Sequence, residues 1–163
     1  MWRFLVVMSV VIFCSPNLAQ GGAPSMDVKV TATAVRMPSG AWHLKFFLVN
    51  NSDQPVRIYE ASLPWGIRTS LTLLLLPEGF EQSPLSASQA IDDPGPRIMV
   101  IAPHSETSGD VDLNDRFPDL GKVTKTRDVL AFWSYQPRAV DDARGAREFG
   151  GALLANQSRA VTP

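Results

Sequence analysis

Two histidines, His43 and His104, and a set of nearby carboxylates, Asp110, Asp112, Asp115 and Asp119, are the side chains from which acid–base or metal chemistry would have to be assembled. Two imidazoles alone leave a zinc shell incomplete, and the chain contains no HExxH. Asp110 and Asp112 are two apart in a strand-like run, so they share a face where a hard cation could take oxygen ligands. "DVDLND" nevertheless lacks the glycine and the terminal glutamate of a calcium-hand loop. A glycosidase would need one carboxyl held protonated, and nothing in the pattern supplies that environment. Ser62 in "YEASLPWG" is not in a GxSxG elbow, and Gly150-Gly151 is no phosphate cradle. The reading is no catalytic residue, no metal and no cofactor. Its rival is a small periplasmic or secreted hydrolase using His43 or His104 with an aspartate, which would show as a pocket holding both groups.

The N-terminus, "MWRFLVVMSVVIFCSPNLAQGG", has Arg3, an apolar run from Phe4 to Phe13, a Ser-Pro break and the small Ala19. This is the layout of a secretory leader over residues 1–20, and its apolar run is too short for the roughly 20 residues of a membrane span. The protein is therefore expected outside the cytoplasm, periplasmic or secreted, and the mature chain is not expected to span a membrane. Cys14 is the only cysteine. It permits a lipoprotein anchor, but Phe13 stands where such signals carry a small residue, so loss with the leader is the preferred reading. The mature domain then has no thiol chemistry and no disulfide, and must stand on its own core.

Removing those 20 residues leaves 143 of the 163, enough for one domain with a real core. They carry 14 Lys and Arg against 16 Asp and Glu, with no basic block, which argues against a nucleic-acid partner. Residues 21–26 read as a flexible lead, 27–156 as a single domain and 157–163 as a disordered tail.

Within the domain, Val28, Val30, Ala32 and Ala34 alternate with Lys29, Thr31 and Thr33, the period of a strand with one wet face. "MPSG" at 37–40 is a turn, and "AWHLKFFLVN" puts Trp42, Leu44, Phe46 and Leu48 on one face. "NNSDQP" at 50–55 reads as a hairpin turn into the strand "VRIYEASL" at 56–63, with Val56 and Ile58 alternating with Arg57 and Tyr59. Further strands are expected over 69–76, 97–102, 105–113, 127–135 and 149–155, with one helical turn in "NDRFPDLG". "RDVLAFWSY" looks central because both of its faces are apolar. Seven or eight short strands with Pro, Gly and Asp turns predict an all-β, antiparallel, immunoglobulin-like β-sandwich, with a closed barrel as the structural rival.

Trp42 and Trp133 fall in strand periods and read as core. Trp65 lies beyond its strand between Pro64 and Gly66, where it either plugs the sandwich or meets a partner. Tyr59, Trp65 and Arg68 are the expected binding residues, followed by the loops 80–96 and 136–148.

"FFLVNNSDQPVRIYEASLPWG" followed by "IAPHSETSGDVDL" resembles the β-rich, propeptide-like domain associated with deuterolysin-type metallopeptidases. There a strand, an Asn-rich turn and a PWG-like segment precede a strand ending in VDL. The likeness spans residues 28–113, and with HExxH absent it transfers no catalytic residue. It implies an exported sandwich with a chaperoning, inhibitory or binding role. The functional expectation is a non-catalytic domain that binds or scaffolds another protein or an envelope component. An inhibitory or accessory subunit of a protease is the neighbouring alternative.

Overall fold

The computed structural model describes residues 27–79, 83–88, 95–140 and 147–155, excepting the side chain of Leu154. The leader with Cys14, the lead over 21–26, the tail and much of the loops at 80–96 and 136–148 lie outside the described residues.

Among the described residues eight strands form: β1 (Val28–Arg36), β2 (Trp42–Asn50), β3 (Val56–Tyr59), β4 (Leu71–Pro77), β5 (Ile98–Ile101), β6 (Glu106–Asp112), β7 (Val129–Tyr135) and β8 (Phe149–Ala155). Two short helices, α1 (Leu113–Arg116) and α2 (Leu120–Val123), link β6 to β7. These strands make three antiparallel sheets, in the orders β1-β2-β6, β3-β5 and β4-β7-β8, and among the described residues no barrel closes. This is the expected immunoglobulin-like sandwich, with a two-stranded ribbon beside its two three-stranded sheets.

The core follows from alternation. Val28, Val30 and Ala32 of β1 and Leu44, Phe46 and Leu48 of β2 are buried, and so are Val129, Ala131, Trp133 and Tyr135 of β7. The edge of one ring meets the face of the other where Phe46 and Trp133 join the two sheets, with centroids 5.3 Å apart and planes at 87°. At the sandwich end, Asp112 caps α1 by accepting from the backbone N–H groups of Asn114 and Asp115. Phe117 and Leu120 then turn inward and are buried, as the helical-turn reading required.

"NNSDQP" is not a hairpin turn. β2 is flanked by β1 and β6, so both of its edges are filled and β3 pairs with β5 instead. The loop is a passage between sheets, and Asn50 anchors it. Its fully buried amide donates to the carbonyls of Gln54, Ile101 and Ala102 at 2.8, 3.2 and 3.1 Å, while its oxygen accepts from the backbone N–H and hydroxyl of Ser52. Replacing Asn50 by alanine removes this whole set of bonds from a buried position and should cost about 2 kcal/mol, read as a lower urea midpoint with an unchanged slope. An unchanged midpoint would contradict the anchoring role. The same burial closes the Asn50-Asn51-Ser52 sequon to modification in the folded domain.

Candidate binding surface

Tyr59, Trp65 and Arg68 point three ways. Tyr59 stands on the outward face of the β3–β5 ribbon, opposite Ile98 and exposed. Arg68 turns to α1, where its Nη2 donates to Asp115 Oδ2 at 2.5 Å. Trp65 packs against the core and lies over Gly109 of β6. Gly109 pairs with the buried Phe46, so its missing side chain faces the interior, and the indole occupies that space. A methyl group on Gly109 would come within 2.5 Å of Trp65 Cγ and Cε2.

The rest of "LPWG" serves the same end. Leu63 and Pro64 are buried, and the Gly66 N–H donates to the Leu63 carbonyl at 2.8 Å. A Cβ on Gly66 would press into the backbone, 2.7 Å from the Ala61 oxygen and closer still to that of Glu60. The Ser70 hydroxyl lies 2.5 Å from the Leu63 carbonyl oxygen and 2.7 Å from that of Ile67. The connection from β3 to β4 is thereby pinned to the sandwich.

The histidines find carboxylates but no cleft. His43 Nδ1 donates to Asp110 Oδ2 at 2.5 Å, and Nε2 lies 3.7 Å from Asp112 Oδ2, both by cross-strand register on the outer face of β2 and β6. His104 Nε2 donates to Asp53 at 2.7 Å on the surface. Among the described residues, no group of three or more His, Cys, Asp or Glu side chains could hold a metal.

The two outer sheet faces differ in kind. Across the first sheet, register places Lys29, Val49 and Glu106 in one row, Thr33, Lys45 and Asp110 in another, and His43 beside Asp112. Phe47 on this face lies under the Lys45 ammonium, 5.2 Å from the ring centre. Across the second sheet the rows are Thr72–Ser134–Gly150, Leu74–Phe132–Ala152 and Leu76–Leu130–Leu154, with no charge in any. Leu74 is 42% exposed, Phe132 39% and Leu130 37%. β7 is central, as its double apolar period suggested, but only its inner face is covered. Sequence periodicity missed this surface because an apolar outer face reads the same whether a neighbour covers it or not.

Beyond the Thr72–Ser134 row lies a cleft of about 330 Å³. The pinned connection supplies one wall, with the hydroxyls of Ser62, Thr69 and Ser70 beside the apolar Ala61 and Ile67. The sheet supplies the other wall through Thr72, Ser134, Gln136, Arg138 and Glu148, and neither histidine takes part. The period of β7 continues past its end. Tyr135 and Pro137 are buried, so Ser134, Gln136 and Arg138 turn outward together. Pairing of β7 with β8 brings Glu148 alongside, and the Ser134 hydroxyl donates to its carboxylate. Next to them but inward, the Tyr135 hydroxyl is held above the usual phenol range by burial.

No protein-family model matches the chain, and no curated protein is significantly similar to it. Among the described residues, no helix is long and apolar enough to cross a membrane.

Proposed function

We propose that the protein is an exported, non-catalytic β-sandwich that binds another protein or an envelope component through the outer face of the β4-β7-β8 sheet. The observation that carries this reading is the contrast between the two faces. One is the charged and hydroxylated exterior of an ordinary strand layer. The other leaves Leu74, Leu130 and Phe132 side by side in water, with the half-buried Leu76 between them. Contiguous apolar exposure of this kind marks an interaction site, whereas single exposed leucines do not. Export rests on the leader pattern. The resemblance to the deuterolysin-associated domain makes a protease one candidate protein partner, held by an inhibitory or chaperoning contact.

Hydrolysis receives no support from the geometry. The histidine–aspartate pairs sit on open strand and turn surfaces, and among the described residues the cleft lining combines one carboxylate with hydroxyls and no imidazole.

Leu74→Asp and Phe132→Asp put charge on the face without entering the core. Each should leave the thermal midpoint within a few degrees of the parent protein, since surface changes outside a packed site stay near 0.5 kcal/mol. Each should also abolish capture of the partner from the native secreted or envelope fraction. Full capture by both variants would sink the proposal.

A further inference from the structure

The ribbon of β3 and β5 leaves one backbone edge open. The Glu60 N–H donates to the Arg97 carbonyl at 2.9 Å, which makes these two a hydrogen-bonded pair of the antiparallel ladder. Register then makes Ile58–Met99 and Val56–Ile101 bonded pairs, and Tyr59–Ile98 and Arg57–Val100 non-bonded ones. The backbone groups of a non-bonded pair point away from each other. On the β3 side they are used, since the Val140 N–H donates to the Arg57 carbonyl at 2.8 Å and Ala139 bridges to Ile58. On the β5 side the N–H and C=O groups of Ile98 and Val100 face outward, and among the described residues no backbone pairs with them.

Edges of this kind are ordinarily blunted by charge, by proline or by a bulge. The edge strand β6, next in the chain, carries Glu106, Asp110 and Asp112. β5 is Ile-Met-Val-Ile, without charge or proline. Its outward side chains stand in water: Val100 is 60% exposed and Ile98 37%, beside Tyr59 at 40%. Met99 turns inward, where it packs against the core and its sulfur accepts from the Thr107 hydroxyl at 3.6 Å. Pro96 and Pro103 bracket the run and confine the usable edge to residues 97–102.

This edge is complementary to itself. Ile98 and Val100 flank Met99, so a two-fold axis at Met99 sets Ile98 of each copy opposite Val100 of the other. The open N–H groups of one copy then meet the open C=O groups of the second in two bonded pairs, with Met99 against Met99 as the non-bonded pair between them. On the outer face the rows become Tyr59–Ile98 of one copy followed by Val100–Arg57 of the other. Three apolar side chains stand side by side in each row, and no like charges oppose one another. Each β5 is already ordered by β3, so pairing lacks the ordering cost that a free peptide bears. The seam also closes. With both β5 edges used, the outer edges of the joined ribbons are those of β3, where residues 139–140 already lie, so the contact stops at two copies and does not run on as a fibre.

We infer that the protein forms a two-fold dimer by antiparallel pairing of β5 with β5 of a second copy. The seam lies on a different sheet from Leu74, Leu130 and Phe132, so the inference stands apart from the proposed partner face and gives one assembly two such faces. A six-residue edge falls short of the roughly 1,200 Å² that a stable complex buries, so the dimer is reversible, with a dissociation constant of about 10–100 μM.

Sedimentation equilibrium of the mature chain from about 10 μM to 1 mM should show monomer and dimer in exchange. Val100→Lys sets a charge on each side of the seam. It should keep the thermal midpoint within a few degrees of the parent protein and weaken dimerisation at least about tenfold. Val100→Pro should weaken it as well, although the N–H it removes points away from β3 and leaves the ribbon ladder whole. Leu74→Asp should leave the dimer unchanged. Oxidative cross-linking reads the register, since residues 21–163 contain no cysteine. Met99→Cys should cross-link, because the two-fold axis places that position against itself. Val100→Cys is more exposed but about 7 Å from its counterpart across the seam, and should not. A chain that stays monomeric to about 1 mM overturns the inference. So does a dimer that survives both Val100 variants, or cross-linking of Val100→Cys ahead of Met99→Cys. If Leu74→Asp dissociates the dimer, the copies meet through the β4-β7-β8 face and the β5 seam falls. If a monomeric chain gains protection at the Ile98 and Val100 amides only with its captured partner, a partner strand fills the edge and self-pairing falls.

Discussion

Replacing Gly66 with alanine should destabilise the domain by about 3 kcal/mol or more, the largest loss expected from adding a single methyl group to this protein. The constraint is space. A Cβ there lies 2.7 Å from the Ala61 carbonyl oxygen and nearer to that of Glu60, and both neighbours are backbone. A crowded side chain can rotate away, but these carbonyls are fixed by their own bonds. Glu60 accepts from the Leu63 N–H at 3.1 Å, and Ala61 accepts from the Ile67 N–H at 3.2 Å. Relief therefore requires opening the turn that seats Leu63, which is 1% exposed. Urea unfolding followed by tryptophan fluorescence reads the effect as a fall in midpoint. A variant within 0.5 kcal/mol of the parent protein would show that the connection is not locked in this way.

Trp65→Ala should cost about 3 kcal/mol, at the lower end of the range for aromatic truncation because the indole is not fully enclosed. Gly109→Ala should cost about 2 kcal/mol by forcing the same indole off its seat. The two losses should not add. With the indole gone, the new methyl enters vacated space, so the double variant should recover at least about 1 kcal/mol of the sum. Strict additivity would mean that Trp65 and Gly109 do not share one packing site. At a temperature where Trp65→Ala is fully folded, partner capture should persist, since the indole faces Gly109 and not the β4-β7-β8 exterior.

The strands themselves were readable because burial on one face writes period two into β1, β2 and β7. Which strands pair was not readable from local turns. "NNSDQP" has the composition of a reversal, yet the partner of β3 is set by β1 and β6 having already filled both edges of β2. Gly109 did carry a signal: an isolated glycine in a strand pattern marks a bulge or a close approach. The sequence did not say that the approaching group was Trp65, more than forty residues away. The cleft was half visible, in the alternation of Ser134, Gln136 and Arg138 with Tyr135 and Pro137. Glu148 joins them only through the register of β7 with β8, which no local pattern contains. The exposed face was the hardest feature to see, because Leu130 and Phe132 look the same in sequence whether a protein layer or a partner is meant to cover them.

Hydrogen exchange of the folded protein with and without its captured partner tests the central claim most directly. The face account expects added protection over residues 72–76 and 130–134, where the apolar rows lie. Protection confined to the β3–β5 ribbon around Tyr59, with the β4 and β7 amides unchanged, would contradict it.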